Sequence, residues 1–116
     1  MPDAGADIAN PPKADELAAL EASAGAAARL LKLLASEQRL MLLCRLSEAE
    51  ASVGELARHA GLSQTTASQH LAKLRAEGVV ATRRDAQTIY YRLVDPAALQ
   101  LISMLCRIYR PDRVQD

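Results

Sequence analysis

Leu17, Leu20, Ala24, Ala27, Leu31 and Leu34 recur at spacings of three and four, the period of one helix face. The Ala/Leu-rich stretch 14–35 also has strong helix propensity, so the stripe predicts a first helix there. Ser36 then reads as the N-cap of a second helix, from Glu37 to about Ser47. Leu40, Leu43 and Cys44 mark its inner side, and Met41, Leu42 and Leu46 widen that side, so this helix is expected to be central. Ser52-Val53 fits a one- or two-residue strand, and Val53 to His59 a short third helix with Val53, Leu56 and Ala57 inward. Gly61 suits a tight left-handed turn, and Leu62 is the expected apolar pin within it. Ser63 caps a fourth helix whose inner face is Ala67, Leu71 and Leu74, and Gly78 ends it. Two β-prone runs, 79–84 and 87–93, flank Asp85-Ala86 and predict a hairpin, although Asp-Ala is not an ideal two-residue turn. Asp95-Pro96 opens a last helix with the stripe Ala98, Leu101, Ile102, Leu105, Cys106 and Tyr109, which Pro111 stops.

The order is therefore helix, helix, short strand, helix, helix, hairpin, helix. That is a mainly α chain with a small β-hairpin, the layout of a winged helix-turn-helix. Residues 1–13 lack an apolar period and read as a flexible tail, 14–110 as one winged-helix DNA-binding and dimerisation domain, and 111–116 as a second tail. The first and last helices carry more apolar surface than one small core needs, so they are expected to pair with their copies in a homodimer.

Composition adds a charge asymmetry. The chain of 116 residues balances 14 basic against 14 acidic side chains. Residues 1–28 nevertheless hold five acids and one lysine (−4), whereas residues 58–92 hold six cations and two acids (+4). A local basic surface can bind DNA when the whole is neutral. No apolar run is long enough to span a bilayer, and the opening Met1-Pro2-Asp3 lacks the pattern of a secretory signal, so no membrane association and a cytoplasmic location are expected.

The candidate chemistry lies on the fourth helix and the hairpin. Ser63, Gln64, Thr65, Thr66, Ser68 and Gln69 cluster at and beyond the helix start. There Gln can pair with adenine in two hydrogen bonds, and Ser or Thr can bond a base edge or touch a thymine methyl. His70, Lys73 and Arg75 are placed to reach backbone phosphate, and Arg83, Arg84 and Gln87 to set the wing against phosphate or into the minor groove. A polar helix face alone is commonly just solvated. Here it directly follows a Gly-containing turn and directly precedes a cation-bearing hairpin, which favours double-stranded DNA. A two-fold dimer then calls for an inverted-repeat operator. No Ser/His/Asp grouping, paired carboxylates or phosphate-binding Gly loop points to an enzyme, and no cofactor is expected.

Five segments carry a resemblance: Ser36-Glu37-Gln38-Arg39-Leu40, Ser52-Val53-Gly54-Glu55-Leu56, Gly61-Leu62-Ser63-Gln64, the run Ser68 to Arg75, and Gly78-Val79-Val80. Over about residues 15–110 the chain resembles the ArsR/SmtB family of bacterial winged-helix repressors. Through the wing, Thr82 to Leu93, it looks most like the sulfide-responsive branch of biofilm-growth repressors and sulfide:quinone oxidoreductase regulators. The metal sites that the family uses have no counterparts in this chain. Helix 53–60 has no cysteine and the last helix no histidine, and His59 and His70 read as surface or backbone-contacting residues.

In that branch, reactive sulfur links a thiol on the second helix to one on the last, and DNA is released. The resemblance puts Cys44 at the first of these positions. The branch's second position holds Arg110 here, and Cys106 lies four residues earlier, one helical turn back. Either the link forms with shifted geometry or the switch is modified. The competing reading makes both cysteines small core residues on apolar stripes. Two other functions stay open: a soft-metal, metalloid or haem sensor using the same thiols, and a winged-helix module for protein contact.

Overall fold

A computed structural model describes residues 10–111. The expected tails, 1–13 and 111–116, fall largely outside that range; residues 10–13 are exposed and lie outside any helix. The described chain divides into two compact units, one reaching Lys32 and the other starting at Leu33.

The first unit corrects the expectation of a single helix over 14–35. It holds two helices, α1 (Ala14–Ala22) and α2 (Ala24–Leu34, whose last two residues belong to the second unit). The break falls at Ser23, whose N–H bonds back to the Ala19 and Leu20 carbonyls. Ser23 and Gly25 are the poorest helix formers of the stretch, which explains why the helix ends there. Leu17, Leu20 and Leu31 of the predicted stripe are exposed.

The second unit carries α3 (Glu37–Glu48), β1 (Ala51–Ser52), α4 (Val53–Ala60), α5 (Gln64–Ala76), β2 (Val80–Asp85), β3 (Thr88–Leu93) and α6 (Pro96–Ile108). Ser36 caps α3 by accepting from the Arg39 N–H at 3.3 Å. Leu42, Leu43 and Leu46 of α3 are buried with Leu33 and Leu34. Leu40 and Cys44 are only half-buried and Met41 is exposed, so the buried side of α3 is rotated from the one the sequence suggested. Leu56 and Ala57 of α4, Ala67, Leu71 and Leu74 of α5, Ala51, Val79, Val80, and Ala98 and Ile102 of α6 complete the core. In α6 only that pair is buried, while Met104, Leu105, Ile108 and Tyr109 remain exposed.

The three strands form an antiparallel sheet in the order β1-β3-β2. The first strand is Ala51–Ser52, one residue earlier than expected, and Ser52 doubles as the N-cap of α4. Its hydroxyl accepts from the Glu55 N–H at 3.2 Å, and Glu55 in return accepts from the Ser52 N–H at 2.8 Å, a reciprocal capping box. The hairpin turn is likewise shifted by one residue. Asp85 pairs with Thr88, leaving Ala86-Gln87 as the two-residue loop.

Ala86 sits at a φ of 58°, in the left-handed region where a Cβ crowds the backbone. Replacing it with glycine relieves that crowding at some cost in unfolded-chain entropy. Ala86→Gly is therefore expected to raise unfolding free energy by about 0.5–1 kcal/mol in a urea titration. A drop in stability would show that the turn is not held in this conformation.

Candidate nucleic-acid interface

The helix-turn-helix is built by its caps. Gly61 ends α4 with a φ of 68°, and its N–H bonds back into the last turn of α4. The Leu62 N–H reaches the Ala57 carbonyl at 2.9 Å, so the chain reverses sharply. Leu62, expected as a buried pin, is half-buried. Ser63 then starts α5, accepting from the Thr66 N–H at 3.1 Å.

Ala67, Leu71 and Leu74 anchor α5 in the core. The opposite side turns outward, where Gln64, Thr65, Ser68, Gln69 and Ala72 line one open depression. Sequence reasoning had the four polar members and missed Ala72. A small apolar residue carries no polar signal, yet a methyl on this strip suits contact with a thymine methyl. A Cβ built on Gly54 would lie 3.4 Å from the Gln64 amide nitrogen and 3.6 Å from the Arg58 guanidinium, so the Gln64 side chain reaches back over the start of α4.

Three other predicted contacts are occupied differently. The Ser63 and Thr66 hydroxyls lie 3.0 Å apart and serve the helix start. His70 is half-buried, and its Nδ1 accepts from Arg39 Nε at 3.3 Å, while Arg39 Nη1 donates to the Leu33 carbonyl at 2.6 Å. Since Nδ1 accepts, a neutral His70 ring carries its proton on Nε2. Lys73 and Arg75 are exposed further along α5.

The wing does not present its two arginines alike. Successive strand residues face opposite sides, so Arg84 shares the side of buried Val80, and Arg83 shares that of Ala81. Arg83 spends its guanidinium on Glu50: Nε lies 2.9 and 3.0 Å from the two carboxylate oxygens, and Nη2 also donates to Oε1. The same group lies 4.7 Å from the centroid of the Tyr90 ring, its cross-strand partner, and 4.0 Å from Asp85. The hydrogen bond from Arg83, followed by the charges of Arg83 and Arg92, holds the Glu50 carboxyl below its ordinary pKa. Arg84 and the turn residue Gln87 are exposed.

Away from this surface, the second unit brings the two cysteines together. Cys44 on α3 is half-buried and Cys106 on α6 is exposed, and both are free thiols. Burial pushes the Cys44 thiol up, and Cys106 raises it further through charge and hydrogen bonding. The one-turn offset of Cys106 thus leaves it near enough to Cys44 to influence its ionisation. Among the described residues, no three His, Cys, Asp or Glu side chains are grouped to hold a metal ion, and no helix is long and apolar enough to cross a membrane.

The profile of the bacterial regulatory protein, arsR family, matches residues 36–82. The HTH-type transcriptional regulator YgaV of Escherichia coli (strain K12) is 46% identical over 97 residues, which cover 83% of this chain and 98% of the relative. The crystal structure of the transcriptional repressor BigR from Xylella fastidiosa superposes with a TM-score of 0.74 at 47% identity, covering 78% of this chain and 92% of that one. The solution structure of the homodimeric winged helix-turn-helix DNA-binding domain of Mb0332 from Mycobacterium bovis does so with a TM-score of 0.66 at 30% identity, covering 90% and 94%.

Proposed function

The chain belongs to the arsR family of bacterial regulatory proteins and is a transcriptional regulator. From that premise we propose that it is a homodimeric, sequence-specific repressor in the cytoplasm. It binds an inverted-repeat operator and releases it when Cys44 and Cys106 react with sulfane sulfur or another oxidant. The observation that carries the DNA reading is the outward strip Gln64, Thr65, Ser68, Gln69 and Ala72, on a helix whose other side is locked into the core. Such a helix presents its N-terminal side chains to a major groove without having to become ordered first. Lys73, Arg75 and Arg84 add phosphate contacts, so affinity falls as salt rises.

Residues 14–110 serve as the DNA-binding and dimerisation domain. Dimerisation is supported by the apolar side chains left exposed on α6 and at its C-cap, namely Met104, Leu105, Ile108 and Tyr109, and separately by Leu17, Leu20 and Leu31 on the first two helices. Contiguous exposed apolar surface is a mark of interaction sites. A two-fold axis sets the two reading helices one DNA turn apart.

The thiol reading is supported by the interaction of Cys44 with Cys106 across α3 and α6. Exposed Cys106 is the first nucleophile: its thiolate attacks a polysulfide sulfur, forming a persulfide and expelling a shortened polysulfide. Cys44 thiolate then attacks Sγ of the Cys106 persulfide, breaking its bond to the outer sulfur, which leaves as hydrosulfide and gives a disulfide. In a longer adduct, attack on the first added sulfur expels the remaining sulfur as hydrosulfide or a shorter polysulfide and keeps that one sulfur in the link. Because its pKa is raised, Cys44 is the slower partner, and linking accelerates with rising pH.

The test is selection from a library of short random duplexes. Enrichment of an inverted repeat by the reduced protein is the expected result. Failure to retain any duplex at low salt overturns DNA reading and leaves the wing and α5 as a protein-contact surface.

A further inference from the structure

The wing holds an anion before any DNA arrives. Arg83 sits on the sheet side that carries Tyr90. Its Nε and Nη2 both face the Glu50 carboxylate, Tyr90 lies beneath, and Arg92 adds its field to the same carboxylate. A planar fork around two oxygens is also the geometry with which arginine takes a phosphate. We propose that Glu50 is a built-in competitor for DNA phosphate at Arg83, a specificity-determining residue that weakens the wing's grip on any duplex. This rests on the DNA-binding reading above.

The physical argument concerns what the wing can add. A guanidinium already neutralised by a carboxylate releases little when it meets a phosphate, because the Glu50 charge must find a new counterion. The wing's sequence-independent attraction is thereby muted, and discrimination falls to the side chains of α5. The pair is displaceable because both partners are partly open to solvent, with relative exposures of 46% for the Arg83 and 34% for the Glu50 side chain. Ion pairs in that setting are weak. Asp85, at 4.0 Å from Arg83, is too distant to replace Glu50 in the fork.

The experiment measures anisotropy of two labelled duplexes, the selected one and a random-sequence one, across a salt series. Glu50→Gln keeps the shape and removes the charge. It is expected to tighten both duplexes by about two- to five-fold per protomer and to steepen the salt slope by about 0.9 for each phosphate gained. The random duplex gains at least as much as the selected one, so the specificity ratio does not rise. Arg83→Ala costs more in the Glu50→Gln background than in the wild type, since the pair is non-additive. Glu48→Gln, an equal charge change nearby, gives a smaller gain. The proposal is overturned if Glu50→Gln leaves affinity unchanged or lowers it, if the gain survives without Arg83, or if Glu48→Gln matches it. Thermal melts of each variant show that a change in binding is not a change in folding. A wild-type protein that retains neither duplex instead overturns the DNA reading itself.

Discussion

Polysulfide treatment of the reduced protein is expected to lower its affinity for the selected duplex by about 5- to 150-fold, a coupling of about 1–3 kcal/mol. The size follows from what a link must do. Cys44 sits midway along α3, whose Leu42, Leu43 and Leu46 are packed into the core, and Cys106 lies two residues before the end of α6. Bonding the two sulfurs fixes α3 against the end of α6, where Leu105, Ile108 and Tyr109 are exposed for a partner. A dimer with altered α6 contacts holds its reading helices at a spacing that no longer matches one DNA turn. Cys44→Ser and Cys106→Ser are each expected to bind the duplex when reduced and to lose the response; intact mass should show a bridge only where both thiols remain, with Cys44→Ser stopping at the Cys106 persulfide. If treated and reduced wild type bind alike while mass shows the link formed, the switch is wrong even though its chemistry occurs. Linking that slows as pH rises would contradict the raised pKa of Cys44.

Gln69→Ala is expected to cost the selected duplex about 1–3 kcal/mol and to relax preference at one base pair in each half-site. Gln69 lies in the outward strip with Gln64, Thr65, Ser68 and Ala72 and is not used by a cap. Thr66 makes a useful contrast. Its hydroxyl is 3.0 Å from that of Ser63, so Thr66→Val acts mainly through helix-start stability and weakens all duplexes alike. Lys73→Ala also weakens all sequences alike, but with a shallower salt slope. Repeating the duplex selection with each variant separates these outcomes. A Gln69→Ala protein that keeps the wild-type preference at every position would remove this residue from base reading.

Much of this was legible along the chain because the signals are local. Caps at Ser36, Ser63 and Asp95 need only a side-chain oxygen and an N–H three residues on, and helix period alone points Ala67, Leu71 and Leu74 inward. The single-residue errors at β1 and the hairpin turn have one cause. Strand register is chosen by pairing across the sheet, Ala51 with Tyr91 and Asp85 with Thr88, and that information is not local.

The order of elements from α3 onward, the polar residues of the α5 strip and the presence of two thiols were determined by the sequence itself, since each follows from backbone periodicity or residue chemistry within one element. Tertiary structure decided which of those groups remain available. It paired Arg83 with Glu50 across 33 positions of sequence and Arg39 with His70 across 31, and it brought Cys106 of α6 close enough to raise the pKa of Cys44 on α3. It also turned α3 so that Leu42 is buried and Met41 is not. These outcomes depend on which surfaces meet when helices and strands pack, and a one-dimensional pattern encodes the faces but not their partners.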